Sequence, residues 1–335
     1  MRLLILGGTA FLGRAAARAA LAAGHEVTCA ARGRSGEPAD GVTFVAVDRD
    51  GPDGLAPLRG LEFDALVDVS SRPGQVRRAV AELAPRVGHA VYVSSGSAYA
   101  DTGTPGQRAT EAPLLAPASP SDDDPTAPET YGPRKVACER AVLDGFGADR
   151  TFVCRAGLII GPEDDTGRFT YWVDRLARGG EVLAPGAPDD LVQYVDVRDL
   201  ADWLVRAAET RLAGVYDGTG APVSREHFLT HVAVGVATPV QLTWVDQEFL
   251  RSEGVAPWMG PRSLPLWLPL PEYAGFLSRD VSAALEAGLR TRDVTDTARH
   301  TLAWRRTTPE SSLTGAGISP EDEAALLEKW HGTMS

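Results

Sequence analysis

A glycine-rich loop follows the first predicted strand, at the very start of the chain. Residues 2–6 (RLLIL) form a short apolar run, and residues 10–23 are Ala-rich with apolar positions at helical spacing. Between them stand Gly7, Gly8, Thr9, Ala10, Phe11, Leu12 and Gly13. A strand, a tight glycine turn and a helix in this order bind a dinucleotide pyrophosphate, because the helix N-terminus presents free amides. We expect Gly7, Thr9, Ala10, Phe11, Leu12 and Gly13 to contact such a cofactor, with Ala10 where a second glycine is usual.

The alternation of strands and helices continues beyond this first unit. We predict strands at 26–30, 43–47, 64–69, 90–94, 151–155, 192–195 and 213–217, and helices at 74–86, 130–146, 169–178 and 199–209. Continuous apolar strands that alternate with helices are typical of a parallel sheet covered on both faces. The predicted fold class is therefore α/β, a Rossmann-type doubly wound parallel sheet with a smaller mixed α+β substrate lobe.

The domain division follows from where the alternation breaks. Residues 1–161 are predicted to form an NAD(P)-binding Rossmann domain, completed by about 191–220. Residues 162–190 and 221–335 would form the substrate lobe over the carboxyl edge of the sheet, where open α/β sheets bind ligands. Residues 100–128 are rich in Pro and Asp and have no period. They are either a solvated surface loop or a partial lid.

The end of the second strand discriminates between cofactors. It reads Ala30-Ala31-Arg32-Gly33-Arg34, without the carboxylate that usually holds the ribose of NAD. Guanidinium groups suit a 2′-phosphate, so Arg32 and Arg34 favour NADP, with NAD possible if Arg32 only stacks on adenine. Asp48 is either an adenine contact or a turn residue. Ser70, after the fourth strand, is a further candidate contact.

The candidate chemical site combines a phenol, an ammonium group and a hydroxyl. Tyr131 and Lys135 are four residues apart, a spacing that places both on one face of a helix. A phenol titrates near pH 10, and a neighbouring ammonium group brings it into range as an acid or base at neutral pH. At the end of the fifth strand, Ser95, with Ser97 in reserve, is positioned to hold a substrate oxygen.

These segments resemble the extended or atypical short-chain dehydrogenase/reductases, commonly described as NAD-dependent epimerase/dehydratase-like. The resemblance rests on the glycine loop, the SSGSAY run at 94–99, YGPRK at 131–135 and RAGLIIGP at 155–162. It covers roughly residues 1–220. The resemblance assigns the family's catalytic roles to Ser95, Tyr131 and Lys135, and it places the backbone from Ala156 to Leu158 near the nicotinamide amide.

Two positions depart from subgroups of that family. The sugar 4,6-dehydratases carry Asp-Glu after the Ser or Thr, where this chain has Gly96-Ser97. UDP-sugar epimerases usually carry an Arg for the diphosphate where this chain has Val192, although Arg168 or Arg175 could replace it. A dehydratase reaction therefore lacks its acid and base here.

The remaining aromatic and histidine residues are less specific. Phe169, Tyr171, Trp172 and Trp258 are candidates for the substrate wall, and the alternative is that such aromatics form the core of the lobe. Among the six histidines we identify no metal-ligand spacing, and we predict no metal.

Composition restricts the partners. The net charge is −12, which makes nucleic-acid and membrane binding poor hypotheses. Three cysteines without a CxxC spacing fit a reducing compartment, and with no apolar run long enough to span a bilayer we expect a cytoplasmic protein. The resemblance also implies a homodimer through the helices at 74–86 and 130–146, with Ala137, Ala141 and Val142 in an apolar seam.

Three functions remain open from the sequence. The first is hydride transfer between NADP(H) and a carbonyl or alcohol of a small organic molecule by a Ser-Tyr-Lys mechanism. The second is an NAD(P)-dependent sugar-nucleotide epimerase, which would consume no cofactor. The third is a non-catalytic dinucleotide-sensing or RNA-associated binding protein. Retention of both Tyr131 and Lys135 and the acidic composition favour the two enzymes.

Overall fold

The computed structural model describes residues 1–34, 36–119, 127–308 and 316–333. The strands, in chain order, are β1 (Arg2–Leu6), β2 (Glu26–Ala31), β3 (Thr43–Ala46), β4 (Phe63–Asp68), β5 (Val87–Ser95), β6 (Thr151–Ala156), β7 (Ile159–Ile160), β8 (Gly180–Pro185), β9 (Leu191–Val192), β10 (Val195–Asp196), β11 (Gly214–Gly218), β12 (Val223–Ser224), β13 (Val240–Val245), β14 (Ala256–Pro257) and β15 (Ser263–Leu264). The helices are α1 (Phe11–Ala22), α2 (Pro73–Leu83), α3 (Tyr131–Phe146), α4 (Arg168–Ala177), α5 (Val197–Thr210), α6 (Arg225–Val236), α7 (Gln247–Ser252), α8 (Ser282–Glu286), α9 (Val294–Arg305) and α10 (Pro320–Thr333).

Seven of these strands form one parallel sheet in the order β11-β6-β5-β4-β1-β2-β3. The chain leaves β1 towards β2 and β3 on one side, then crosses back to β4 on the other side of β1. The connections that follow β1 and β4 therefore lead to opposite sides of the sheet, and a crevice between such connections is where doubly wound sheets bind ligands. The predicted fold class is confirmed.

Both faces of the centre of the sheet are buried, which explains why β1 is apolar from Leu3 to Leu6. In β1, Leu3 and Ile5 belong to one hydrophobic cluster, whereas Leu4 and Leu6 belong to another. Successive strand residues point to opposite faces of the sheet. A strand that is covered on both sides is therefore apolar at consecutive positions. Helices α1 and α5 pack together on the first cluster, and α2 and α3 pack together on the second.

The lobe has a core of its own, built on α4, α6 and α9 and the paired strands β8 and β13. One C-terminal stretch lies outside this core. Ala284 of α8 and Leu289 pack into the cluster of the main sheet, and the Trp203 indole donates to the Ala287 carbonyl oxygen at 3.1 Å. Part of 221–335 therefore returns to the sheet instead of belonging to the lobe.

Two predicted elements take a different form. The predicted strand at 192–195 is two short strands, since β9 pairs with β12 and β10 pairs with β7. Between them Gln193 is buried, and its side-chain amide donates to the carbonyl oxygens of Gly220 and Arg279. These bonds interrupt the strand. Among the described helices, none combines the length and apolar character that crossing a bilayer requires.

The loop after β5 packs against the C-terminal part of the chain. The amide of Gly275 donates to the Thr102 carbonyl oxygen at 2.8 Å, and that of Gly106 donates to the Ser278 carbonyl oxygen at 2.8 Å. Arg108 pairs with Asp280 at 2.7 Å. Residues 100–119 thus hold the segment around 272–280 in place. Whether 100–128 is a surface loop or a partial lid stays open, and residues 120–126 lie outside the described residues.

Candidate active site

The turn between β1 and α1 is as tight as the glycine pattern requires. Gly7 has φ +94°, in the left-handed region that favours glycine. A Cβ at Gly13 would overlap the carbonyl oxygen of Gly7, so only glycine allows α1 to begin this close to β1. The open N-terminus of α1 faces the crevice and can receive phosphate oxygens.

A cavity of about 630 Å³ joins this loop to the candidate chemical site. Its lining includes eleven of the predicted site residues, namely Ala10, Phe11, Leu12, Gly13, Ser95, Ser97, Tyr131, Lys135, Ala156, Leu158 and Trp258. The volume lies in the range of small-molecule sites. The structure therefore brings the cofactor and catalytic candidates together at one edge of the sheet.

Lys135 is fixed by two backbone carbonyl groups. Its buried ammonium group donates to the carbonyl oxygens of Ser70 at 3.0 Å and Val93 at 2.7 Å. Nζ also lies 6.0 Å from the centre of the Tyr131 ring. Since an ammonium group has three N–H donors, one donor remains for a group in the cavity.

Ser95 ends β5 and caps the short turn that follows. Its hydroxyl oxygen accepts a hydrogen bond from the amide of Ser97 at 3.1 Å and lies 3.3 Å from the Ser97 hydroxyl. Both hydroxyl groups line the cavity. The neighbouring Ser94 also lines the cavity, but its hydroxyl donates to buried Glu139.

Gly132 allows the helix that carries Tyr131 to approach this turn. A Cβ at Gly132 would overlap the carbonyl oxygen of Ser97 and the side chain of Leu115. The first turn of α3 thus lies directly against the Ser95–Ser97 turn. This close contact sets the position of the phenol relative to the two hydroxyl groups.

A second pocket of about 260 Å³ adjoins the glycine loop. Its lining includes Gly7, Thr9, Arg32, Arg34, Arg49, Ser70 and Arg72. Asp50 accepts from Arg72 at 2.7 Å and Gln75 at 2.8 Å, and it lies 3.5 Å from Arg32. The hydrogen bond from Gln75, together with Arg72 and Arg32, lowers the pKa of Asp50. Sequence reasoning identified Arg32 and Arg34 but missed Arg49 and Arg72, which lie 15 or more positions further along the chain.

The main cavity also contains guanidinium groups that sequence reasoning did not assign. Arg134 and Arg279 are both buried, and each leaves one terminal nitrogen without a hydrogen-bond partner among the described residues. Arg279 donates to the Asp217 carboxylate at 2.9 Å, and its guanidinium carbon lies 3.5 Å from the centre of the Tyr99 ring. A buried unpaired N–H is costly, so these groups are suited to an anionic ligand.

Asp164 and Arg168 form another polar part of the cavity wall. Burial raises the pKa of Asp164, and its Oδ2 has no hydrogen-bond partner within the described segments. Burial lowers the pKa of Arg168, while the charges of Asp164 and Tyr131 oppose that shift, so its guanidinium lies near the phenol. Of the two arginines that could replace a diphosphate contact, only Arg168 lines the cavity. Arg175 is buried in an ion pair with Glu323.

Several predicted contacts lie elsewhere. Phe169 and Trp172 are fully buried in the core of the lobe, with Tyr171 packed against them, so of the four aromatic candidates only Trp258 lines the cavity. Helix α4 turns these three side chains inward because its amphipathic face covers the core. Asp48 accepts from the amide of Asp50 at 3.1 Å and is a turn residue.

Two further predictions need correction. Val142 is buried inside the chain between α3 and the sheet, so it cannot supply an intermolecular seam.

The statement that the histidines lack metal-ligand spacing is wrong, because His227 and His231 are four residues apart on α6. Their imidazole groups lie beside Asp293, and the three residues offer ligand atoms within 4.8 Å of one another.

A doubly wound parallel sheet, a glycine loop at its crevice and a Tyr–Lys pair beside a serine turn define an enzyme of the short-chain dehydrogenase/reductase class. The sequence comparison specifies the family. The model described as "NAD dependent epimerase/dehydratase family" matches residues 3–84 and 67–217, more than half of the chain. The protein belongs to this family, as the sequence resemblance predicted, and it is an NAD(P)-dependent enzyme of the oxidoreductase/epimerase type.

Relatives agree with this placement. The chain is 29% identical over 266 residues to dTDP-6-deoxy-L-talose 4-dehydrogenase (NAD(P)(+)) from Kitasatospora kifunensis, covering 73% of this chain and 82% of the relative. Its fold is similar to that of WbmH from Bordetella bronchiseptica in complex with NAD+, with TM-score 0.65, 18% identity and coverage of 91% and 98%. It is also similar to UDP-N-acetylglucosamine 4-epimerase from Bacillus cereus, with TM-score 0.65, 15% identity and coverage of 91% and 99%.

Proposed function

We propose that this protein transfers hydride between NADP(H) and a carbonyl or alcohol of a small anionic molecule, using Ser95, Tyr131 and Lys135. The observation that carries the proposal is the single cavity that contains both the glycine loop and these three side chains. When bound, the nicotinamide cofactor supplies or accepts the hydride. The residues fit such a cofactor because Gly13 lets α1 begin directly against the Gly7 turn, so that the open N-terminus of the helix lines the cavity.

Each residue has a separate task in reduction of a carbonyl group. The Tyr131 phenol donates its proton to the substrate oxygen as hydride reaches the carbon, so the product is the alcohol. The Ser95 hydroxyl donates a hydrogen bond to the same oxygen. The positive charge of Lys135 stabilises the phenolate that forms, and its remaining N–H would donate to the cofactor ribose. Oxidation of an alcohol uses the same groups in reverse.

The preference for NADP is supported by the second pocket. Arg32, Arg34, Arg49 and Arg72 line it, and a 2′-phosphate would bring two negative charges to this group. Arg49 already pairs with Asp68 at 2.8 Å, and Asp50 is shared between Arg72 and Arg32. Because Arg32 lies farther from Asp50 (3.5 Å) than Arg72 does (2.7 Å), Arg32 and Arg34 are the main partners that we propose for the phosphate.

An anionic substrate is supported by the unpaired donors of Arg134 and Arg279 in the main cavity. The curated relative is named for a dTDP-sugar, whose diphosphate would satisfy such donors. A phosphate or carboxylate of another small molecule would do so as well. Dehydrogenase activity is the leading function, because that relative is a 4-dehydrogenase.

The test is net turnover of NADPH with carbonyl compounds and of NADP+ with dTDP-6-deoxy-L-talose. Activity should be higher for phosphorylated or carboxylated substrates than for neutral analogues. Arg134→Met should raise KM about tenfold for the anionic substrates only, since one charge-assisted hydrogen bond contributes about 1.5–3 kcal/mol. Formation of an epimer without net cofactor consumption would instead establish the epimerase. Equal KM effects on neutral substrates would contradict the role of Arg134.

A homodimer and a cytoplasmic location are part of the same proposal. With Val142 buried, the surface available on α3 includes exposed Arg140 and half-buried Ala141. A pairing of two copies through α2 and α3 would therefore be more polar than the sequence pattern implied. The mass of the protein by light scattering at micromolar concentration tests the dimer.

A further inference from the structure

Three potential metal ligands come together on the surface of the lobe, apart from the cavity. His227 and His231 lie one turn apart on α6, with ring centres 3.8 Å apart and ring planes inclined by 30°. Asp293 stands at the start of α9, and its carboxylate oxygens lie 3.2 and 3.3 Å from Nδ1 of His231. None of the three lines the main cavity.

The separation of these atoms suits a tetrahedral ion. Zn–N and Zn–O bonds of about 2.0–2.2 Å place two ligand atoms of a tetrahedral site about 3.3 Å apart. The distance from His231 to Asp293 already has this value. The ligand atoms of all three residues lie within 4.8 Å of one another, so we expect rotation of the exposed His227 side chain to complete the set.

The backbone at each ligand is held independently of any ion. The amide of His227 donates to the Ser224 hydroxyl at 3.1 Å, which caps α6. The carbonyl oxygen of His231 accepts from the Thr295 hydroxyl at 3.2 Å, and Asp293 accepts from the amide of Thr295 at 2.8 Å. These bonds fix α6 against α9, so the three side chains need little reorganisation to bind together.

The local charge also suits a cation. Arg292, the nearest arginine in sequence, is directed to Asp199 at 2.6 Å and Asp196 at 3.8 Å. Its charge is therefore largely compensated by carboxylates other than Asp293. The chain as a whole carries a net charge of −12. Two imidazoles and one carboxylate are a ligand set for Zn²⁺ and neighbouring first-row divalent ions, with water in the fourth position.

We propose that His227, His231 and Asp293 bind one divalent transition-metal ion that links α6 to α9. The residues between these ligands include the part of the lobe that carries Trp258 and Arg279. The ion would stabilise the wall of the substrate cavity without taking part in hydride transfer. The site is independent of the proposed function.

The test is titration of the full-length protein with Zn²⁺ by calorimetry, and with Co²⁺ by visible absorption. We expect one ion per chain, a tetrahedral Co²⁺ spectrum and a melting temperature raised by a few degrees at saturating Zn²⁺. His227→Ala and Asp293→Asn should each weaken binding at least about tenfold, as loss of even a supporting residue does. Asn still caps a helix, so Asp293→Asn separates the ligand from the cap.

The matched control is His300→Ala, which removes an exposed histidine of α9 outside the cluster. Its affinity for Zn²⁺ should equal that of the unmodified protein. Absence of stoichiometric binding in the unmodified protein would overturn the proposal. Equal affinity in His227→Ala, Asp293→Asn and His300→Ala would also overturn it, because the ion would then bind elsewhere.

Discussion

The two sides of the cleft are built in different ways. On the proposed cofactor side, the loop between β1 and α1 consists of backbone and small residues from one short segment, including Gly7, Thr9, Ala10 and Gly13. The substrate side consists of large side chains that are far apart in sequence, such as Arg134, Arg168, Trp258, Phe276 and Arg279. A site made by backbone depends on local spacing, whereas a site made by side chains depends on how the lobe packs.

This difference has a consequence for substitutions. On the cofactor side, the geometry comes from a turn that any folded variant with the same glycines retains. On the substrate side, a residue contributes only if its helix or loop directs the side chain into the cavity. Substitutions of similar residues on the substrate side should therefore have very different effects, depending on whether they alter the core or the cavity.

The largest effect is expected at the junction of the two sides. Tyr131→Phe should lower kcat by roughly 100- to 10,000-fold, because it removes only the proton donor. The affinity for NADPH should remain nearly unchanged, since the cofactor side is intact. Measurement of kcat and of NADPH binding checks this result. Tyr273→Phe, at a half-buried tyrosine outside the cavity lining, is the control and should retain full activity. Retained activity in Tyr131→Phe would show that another group is the acid.

The next prediction compares two tryptophans of the substrate side, one in the core of the lobe and one in the cavity wall. Trp172 is buried and donates to the carbonyl oxygen of Pro265 at 2.8 Å, so Trp172→Ala should lower the free energy of unfolding by about 3–5 kcal/mol. Trp258 lines the cavity, and the guanidinium carbon of Arg168 lies 5.2 Å from the centre of its ring. Trp258→Ala should instead raise KM with a smaller loss of stability. Denaturant unfolding and steady-state kinetics of both variants give the comparison, and an equal loss of stability would contradict it.

The smallest of these effects concerns cofactor preference. Arg32 should favour NADPH over NADH about ten- to hundredfold, from one or two charge-assisted hydrogen bonds of about 1.5–3 kcal/mol. The double variant Ala31→Asp, Arg32→Ala should reverse the preference, because the new carboxylate accepts from a ribose hydroxyl and repels a phosphate. The measurement is the ratio of kcat/KM for NADPH to that for NADH, in the unmodified protein and in the double variant. If the unmodified protein prefers NADH, Arg32 serves only as an adenine contact.

Most of the fold could be predicted because its signals are local. The strands of the main sheet lie close to their predicted bounds, since each is a short apolar run between turn residues. The strand predicted at 192–195 lies outside the main sheet and is divided into two short strands. Its interruption by Gln193 depends on carbonyl oxygens of Gly220 and Arg279, which no local pattern reveals.

The sequence alone was enough to predict the glycine loop and the parallel sheet and to select Ser95, Tyr131 and Lys135 as candidates, because each of these signals is a local pattern of residue types. Tertiary structure decided the rest. It directed Phe169 and Trp172 into the core and Trp258 into the cavity. It also brought Arg279 to Tyr99 and Asp293 to His231. These contacts join residues 62 or more positions apart, and only the packing of helices and loops against one another fixes such distances.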